Sequence, residues 1–474
     1  MSLFTQVDVP SRPIARLEPV IGADRYQRLL TTAAAFGEQL GRRTIWNINS
    51  TAVGGGVAEM LQALVGYSDD LRIPIRWGVI SGDAPFFAVT KRLHNQVHGD
   101  PAGGPLGATD AEHYARVTAD NTAAVLEQIR PGDLVLLHDP QTAGLVAPLV
   151  EHGATVVWRC HIGVDWRNDA TDGAWEFLRP HVAAAHGFVF SRRQYVPSWI
   201  PDHKVAIIPP SIDPFSPKNQ DLDEATVRAV LATTGVVDAQ APTTPGRFAR
   251  YDGTTGTVTR AAKVISEARP GLDDRLVIQI SRWDRLKDMD GVMSAFADHV
   301  VPSGNGYLAL IGPAVDDVTD DPEGAIVFRE CLQLWQDLPA AARQRILLVT
   351  LPLDDIEENA ATVNALQRHA SVIVQKSIAE GFGLTVAEGM WKGRPVIGSP
   401  VGGILDQIVE GTGVLLPDAR DLKGFGVALC GLLDDPAGAD RIGRAAHESI
   451  RERYVGDLHL LRYASLFGTL LPDA

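Results

Sequence analysis

The sequence predicts an α/β chain built as two Rossmann-like, doubly wound domains facing across a cleft. Three observations point there. Short apolar runs of strand length alternate with helical stretches along nearly the whole chain, the pattern of parallel sheets covered by helices on both faces. The alternation falls in two blocks, joined at the stiff, extended segment Pro209-Pro210-Ser211-Ile212-Asp213-Pro214. Each block also has a glycine-rich loop between a strand and a helix, at 54–56 in the first and at 381–383 in the second. A ligand that meets both loops must lie between the domains, outside the carboxyl ends of the strands. The expected division is 1–212, 213–455 and a final amphipathic segment at 456–474.

The first block opens with an aperiodic, Pro- and Arg-containing arm over 1–23. A helix over 24–40 follows, then a strand from Thr44 to Asn49, the loop Thr51 to Gly56 and a helix from Val57 to Val65. A strand over 76–80 runs into the turn Ser81-Gly82-Asp83-Ala84-Pro85. The helix after it, 86–98, carries Lys91, His94 and Asn95. A Gly/Pro-rich loop spans 100–109 and a helix 110–129. The strand over 134–137 ends in His138-Asp139, and the strand over 156–159 is followed by His161. Runs at 187–190, 195–199 and 205–208 complete the block.

The second block starts with a helix over 218–235 and a Thr-, Gly- and Pro-rich stretch over 236–260 that reads as a loop insertion. Strands at 276–280, 307–311, 346–350 and 372–374 then alternate with helices at 289–300, 323–337 and 355–369. Behind the last of these strands comes Ser377-Ile378-Ala379-Glu380-Gly381-Phe382-Gly383, and a helix begins at Leu384. A strand over 394–399, a turn at 402–404, an apolar run at 411–416 and helices at 422–433, 437–453 and 458–471 end the chain.

The composition sets bounds. A 474-residue chain with 45% hydrophobic and 21% charged residues is long enough for two cores. A net charge of −15 argues against a nucleic-acid partner. No apolar run approaches the length of a membrane span, and the start lacks a cationic-plus-apolar signal layout, so a cytoplasmic protein is expected. Cys160, Cys331 and Cys430 are scattered, which suits free thiols in a reducing compartment, and no metal-ligand spacing is present. Neither glycine loop has the dinucleotide spacing, so a nicotinamide dehydrogenase is not expected.

The candidate site residues lie where strands end. A strand, a loop with two glycines and a helix bring free N–H groups and the positive end of a helix dipole to one point, a seat for phosphate. Glu380 in that loop and Glu388 on the helix could grip hydroxyl groups on either side of a diphosphate, the layout of a sugar nucleotide. Arg282 and Lys287, five apart after the strand at 276–280, suit the diphosphate itself. Taken alone, the loop Glu380-Gly381-Phe382-Gly383 reads equally as a glycine turn beside solvated glutamates, and Arg282 and Lys287 read rather as two solvated cations. Asp83, His94, Asp139 and Asp165 are candidates for an acceptor from their position alone.

The stretch from Glu380 to Glu388 resembles the Glu-x7-Glu motif of retaining GT-B glycosyltransferases of family 4. The chain also has Trp46-Asn47-Ile48-Asn49-Ser50-Thr51 leading into Gly54-Gly55-Gly56, His138-Asp139-Pro140-Gln141, Trp158-Arg159-Cys160-His161-Ile162 and Gln279-Ile280-Ser281-Arg282-Trp283-Asp284. With these segments it is similar, in order and over most of 24–468, to the trehalose synthase branch of that family. The resemblance implies that residues 1–212 form the acceptor-side domain and 213–455 the nucleotide-sugar domain, with 456–474 returning to the first. It implies glucosyl transfer with retention from a nucleoside-diphosphate glucose to glucose. His161, Arg282, Lys287 and Glu380 would act on the reacting groups: His161 near the donor sugar's 6-hydroxyl, Glu380 on its 3- and 4-hydroxyls, Arg282 and Lys287 on the diphosphate. Gly55, Gly56, Gly381, Phe382, Gly383, Leu384, Thr385 and Glu388 would line the donor, with Glu388 on the ribose. No cofactor is implied beyond the sugar nucleotide, and any stimulation by Mg²⁺ would occur without a ligand set. The partners implied are small molecules, and a homodimer is left open.

The chain departs from the resemblance after His161, where it has Ile162-Gly163-Val164-Asp165-Trp166 in place of the usual acidic residue two positions on. That loop lines the acceptor side, so a cyclitol or sugar-phosphate acceptor stays open. So do a trehalose phosphorylase and a non-catalytic sugar-nucleotide-binding protein.

Overall fold

The computed structural model describes residues 3–52, 55–240, 242, 244–315 and 322–471. Gly54 of the first glycine loop lies outside them, as do Ala241 and Thr243 of the 236–260 stretch. The chain forms two compact units, one of Met1–Ser211 with Tyr454–Ala474, the other of Ile212–Arg453.

The first unit holds a seven-stranded sheet of β1 (Phe4–Val7), β2 (Ile45–Asn49), β3 (Ile75–Ile80), β4 (Leu134–His138), β5 (Thr155–Cys160), β6 (Gly187–Phe190) and β7 (Val205–Ile207). Their order is β1-β3-β2-β4-β5-β6-β7. All neighbours pair parallel except β1, which runs antiparallel on β3. The central strands are apolar because helices cover both faces. One core gathers Trp46, Trp158, Phe188 and Phe190 under the helices Ala84–Val97, Ala108–Leu126 and Asp169–Val182. The other, with Leu134, Leu136 and Val157, packs against Phe36 of helix Ala23–Leu40 and Tyr463 and Phe467 of the last helix, Gly456–Leu470.

The second unit repeats this plan. Strands β10 (Lys263–Ile265), β11 (Leu276–Ile280), β12 (Tyr307–Pro313), β13 (Ile346–Leu351), β14 (Val372–Gln375), β15 (Val396–Gly398) and β16 (Val414–Leu415) lie in the order β10-β13-β12-β11-β14-β15-β16. Here too only the edge strand, β10, is antiparallel. Each sheet therefore reverses direction of winding at one place, between β2 and β4 in the first and between β11 and β14 in the second. The crevice outside the strand ends at such a point is where open α/β sheets bind ligands.

Several elements differ from the sequence expectations. The arm over 1–23 contributes β1, and it can do so because Gly78 of β3 leaves room for the Phe4 ring, which a Cβ there would strike. The helix expected over 218–235 begins only at Glu224, capped by the Asp223 carboxylate. Residues 217–220 ahead of it are instead clasped by side chains. Asn364 Nδ2 donates to the Pro217 and Gln220 carbonyls, and Trp391 Nε1 to that of Asn219. The stretch over 236–260 is not a plain loop. It holds a hairpin of β8 (Arg247–Ala249) and β9 (Thr255–Thr257), tied down by Arg250 to Asp355 at 3.0 Å and by Tyr251 N to Glu357 at 2.7 Å. Residues 195–199 are not a strand, since Tyr195 closes a 3-10 turn and its ring packs on Gly163. The helix Asp169–Val182 has no counterpart in the sequence reading: Pro180 interrupts its pattern, although Asn168 and Thr171 form a reciprocal cap at its start. Among the described residues no helix is long and apolar enough to cross a membrane.

Candidate active site

In the second unit the candidate residues gather at the winding reversal. Gln279, fully buried near the end of β11, is the staple. Its amide nitrogen donates to the Lys287 carbonyl at 2.6 Å and its amide oxygen accepts from Lys376 N at 3.2 Å, so one side chain joins the loops after β11 and β14. The main chain adds a bond from Ile378 N to Leu286 O at 2.8 Å. Lys287 Nζ then stands 2.6 Å from Glu380 Oε2, and both side chains keep only 13–15% exposure. Ser377 Oγ donates to the same carboxylate at 3.2 Å. Behind this pair, the wholly buried Lys376 is ion-paired with Asp288, a residue in the left-handed region at φ 53°.

The glycine loop is held from below. Gly403 N donates to Gly381 O at 3.1 Å, and Gln407 Nε2 to Phe382 O at 2.6 Å. Phe382 is buried and faces Gly403, whose missing side chain admits it. Gly383 takes φ 82°, a conformation glycine adopts without strain, and starts the helix Leu384–Trp391. Thr385 Oγ1 is tied back to Gln375 Oε1 of β14 at 2.8 Å. Glu388 is buried on that helix with Lys218 Nζ 3.7 Å from its carboxylate. Arg282 stays about half exposed, 3.5 Å from Asp284. The arrangement is an electropositive helix start flanked by two carboxylates, each already met by a lysine.

In the first unit β2 ends in buried Asn47 and Asn49, and helix Gly55–Asp70 begins with Gly55 at φ 79° and Gly56. At the neighbouring strand ends His161 and Asp139 come together, the backbone N–H of His161 donating to Asp139 Oδ1 at 2.7 Å. Asp139 has φ 63°, and burial pushes its carboxyl up to about 6. Both ring nitrogens of His161 are engaged within the unit, Nδ1 with Arg159 at 3.2 Å and Nε2 with His138 at 2.9 Å.

The other acceptor candidates each have partners within the first unit. Asp83 caps helix Ala84–Val97 by accepting from Phe86 N at 2.9 Å and meets His113 at 2.7 Å, a bond that lowers its pKa. His94 packs edge-on against His98 at 4.9 Å, and Asp165 is paired with Arg192. Sequence reasoning missed Gln279, Gln375, Lys376, Arg159 and Lys218. The signal available for the first two was a polar residue inside an otherwise apolar strand run, since a buried amide must be hydrogen-bonded. Among the described residues no group of three or more His, Cys, Asp or Glu side chains is placed to hold a metal ion.

Two family models match the chain: the N-terminal domain of trehalose synthase over residues 47–197, and group 1 glycosyl transferases over 351–435. The trehalose synthase of Pyrococcus horikoshii is 32% identical over 463 residues, 97% of each chain. That of Rubrobacter xylanophilus is 31% identical over 472 residues, 99% of this chain and 100% of the other. Among solved structures, a UDP-forming trehalose-phosphate synthase from Burkholderia vietnamiensis superposes with a TM-score of 0.65 at 15% identity, over 90% of this chain and 99% of that one, which makes the fold GT-B. The chain therefore belongs to the trehalose synthase family and is a GT-B glycosyltransferase.

Proposed function

We propose that the chain transfers a glucosyl group, with retention at the anomeric carbon, from a nucleoside-diphosphate glucose to glucose and so makes trehalose. The observation that carries this reading is the Lys287–Glu380 pair, set at 2.6 Å beside the helix start that follows Gly383. A cation and a carboxylate side by side at a phosphate seat match the junction of a diphosphate and a sugar. Full-length similarity to trehalose synthases supports the choice of product.

In this reading the bond from the anomeric carbon to the leaving phosphate oxygen breaks while the acceptor oxygen bonds to that carbon. The acceptor proton passes to the departing oxygen on the same face, and a nucleoside diphosphate leaves. Arg282, Lys287 and the N–H groups at the helix start meet the charge that grows on the diphosphate, so no resident metal ion is required. Glu380 holds the donor sugar's hydroxyls, Glu388 the ribose, and His161 with Asp139 the sugar side of the first unit. The loop Gly163-Val164-Asp165-Trp166, with Asp165 paired to Arg192, favours a second reading in which the acceptor is a cyclitol or sugar phosphate.

The test is a panel with the purified chain. ADP-, UDP- and GDP-glucose are each offered with glucose and with alternative acceptors, with and without EDTA, and both nucleotide and sugar products are read. Trehalose formed from one donor, unaffected by EDTA, is the expected outcome. Release with another acceptor alone selects the second reading. Silence with every donor, together with phosphate-dependent cleavage of trehalose, refutes transfer from a sugar nucleotide.

A further inference from the structure

The directions of the bonds around His161 follow from the chemistry of its neighbours. Arg159 Nε carries a hydrogen and can only donate, so the His161 Nδ1 it meets at 3.2 Å is an acceptor. A neutral ring then has its hydrogen on Nε2, which stands 2.9 Å from His138 Nδ1. His138 Nδ1 must accept, which leaves the His138 hydrogen on Nε2, 3.1 Å from Asn47 Oδ1. The amide oxygen accepts and ends the series. The order Arg159 to His161 to His138 to Asn47 is the one neutral assignment in which every contact pairs a donor with an acceptor. Burial lowers the pKa of both imidazoles well below the usual range, with the Arg159 charge adding to it, so the neutral forms persist at pH 7.

Arg159 is itself fixed from the other end of the chain. It is wholly buried, donates from one terminal nitrogen to Ile208 O at 3.1 Å, and bonds the Tyr463 hydroxyl with the other. Its guanidinium carbon lies 5.5 Å from the Tyr463 ring centroid. Tyr463 belongs to the last helix, 304 positions from Arg159. The His138 and His161 rings lie with centroids 5.2 Å apart and 16° between planes, the near-coplanar edge-to-edge arrangement that their Nε2–Nδ1 hydrogen bond requires.

We infer that the series Tyr463–Arg159–His161–His138–Asn47 sets the tautomer and ring plane of His161, with His138 and Tyr463 as its positioning residues. Its consequence for turnover rests on the reading of His161 as a sugar-contacting group; the bonding does not. In the Nε2–H form the ring offers one hydrogen at the end of β5, and a sugar hydroxyl arriving there shares it with His138 Nδ1. In the opposite tautomer that nitrogen has no hydrogen to offer, and the ring N–H collides with Arg159 Nε–H. The last helix thereby acts on the active-site histidine through one buried guanidinium.

The experiment uses the full chain labelled with nitrogen-15 at histidine. Long-range ring correlations identify which nitrogen of His161 bears hydrogen, in the wild type and in His138→Leu, His138→Asn and Tyr463→Phe. The wild type should show the Nε2–H pattern, and since Arg159 Nε–H still meets Nδ1, His138→Leu and Tyr463→Phe should keep that tautomer while each displaces the His161 ring-nitrogen resonances from their wild-type position. His138→Asn, whose side-chain oxygen can stand in for the Nδ1 acceptor, should restore it. In parallel, His138→Leu should lower kcat roughly tenfold to a hundredfold, the cost of a misplaced group, with KM for the sugar nucleotide nearly unchanged and most of the rate regained in His138→Asn. Ring-nitrogen resonances of His161 that stay at their wild-type position in both His138→Leu and Tyr463→Phe, or a wild type that shows the Nδ1–H pattern, overturn the inference whatever the activity. Should His138→Leu fail to fold, Tyr463→Phe decides alone. Displaced ring-nitrogen resonances with unchanged kcat uphold the positioning and refute the sugar-contacting reading of His161.

Discussion

Glu380→Gln separates two things the Glu380 carboxylate does: it neutralises Lys287 in the ligand-free protein and, by the proposed function, holds the donor sugar. The magnitude follows from the geometry. Lys287 Nζ lies 2.6 Å from Glu380 Oε2. A phosphate oxygen on the far side of the ammonium adds about 2.8 Å, so phosphate and carboxylate stand about 5 Å apart. Two like unit charges at that distance repel by about 3 kcal/mol at an effective dielectric near 20, and salt leaves roughly 1–2 kcal/mol of it. Removing the charge should therefore tighten binding of the free nucleoside diphosphate by roughly fivefold to thirtyfold. Turnover should move the other way. Two sugar hydroxyls lose a charged acceptor, about 3–4 kcal/mol together, which lowers kcat/KM roughly 10²- to 10³-fold. Calorimetric titration with ADP, UDP and GDP gives the first quantity and initial rates with the matching glucose donors the second. Weaker nucleoside-diphosphate binding in Glu380→Gln, or undiminished turnover, would refute the reasoning.

Three further outcomes are expected. Arg282→Ala should weaken nucleoside-diphosphate binding by about tenfold, the worth of one charge-assisted contact, and an unchanged affinity would remove Arg282 from the diphosphate. Asp139 has a folded pKa raised to about 6, so the stability it contributes is present below its unfolded value near 4 and is lost as pH rises through 6. Asp139→Asn lacks that decline and should gain roughly 1–3 kcal/mol on the wild type between pH 4 and pH 7, read from urea midpoints; parallel profiles for the two proteins would contradict the shift. Arg25 holds the fully buried Asp457 at the start of the last helix, with Nη2 2.6 Å from Oδ1. Arg25→Ala strands that carboxylate and should cost about 3 kcal/mol, a fall of roughly 6–12 °C in Tm by calorimetry, whereas a shift under 2 °C would show the pair to be dispensable.

The fold was legible because its signal is long and repeated. Two blocks of apolar runs at strand length, each followed by a helical stretch, specify parallel sheets whatever happens to any single run. The misreadings fall where the deciding contact is distant in sequence. Nothing near Phe4 announces that Gly78 leaves room for its ring, and nothing near Arg250 announces Asp355, 105 positions on. Helix Asp169–Val182 was hidden by Pro180, a residue that local propensity reads as a break. The candidate site divides along the same line. Residues at strand ends, such as His161, Arg282, Lys287 and Glu380, are visible because a polar or charged group after a buried strand is conspicuous, and the strand end at a winding reversal is where ligands bind. The residues that aim them are not visible in the same way. Gln279, Lys376, Arg159 and Tyr463 sit inside apolar segments, and their meaning lies in pairings 88 to 304 positions long. Such groups are buried without cost only when every donor finds an acceptor, and each of these side chains has its partner. A charged or amide side chain inside an apolar run is thus the sequence mark of a residue that positions another, even where the residue it positions can be named only once the chain is folded.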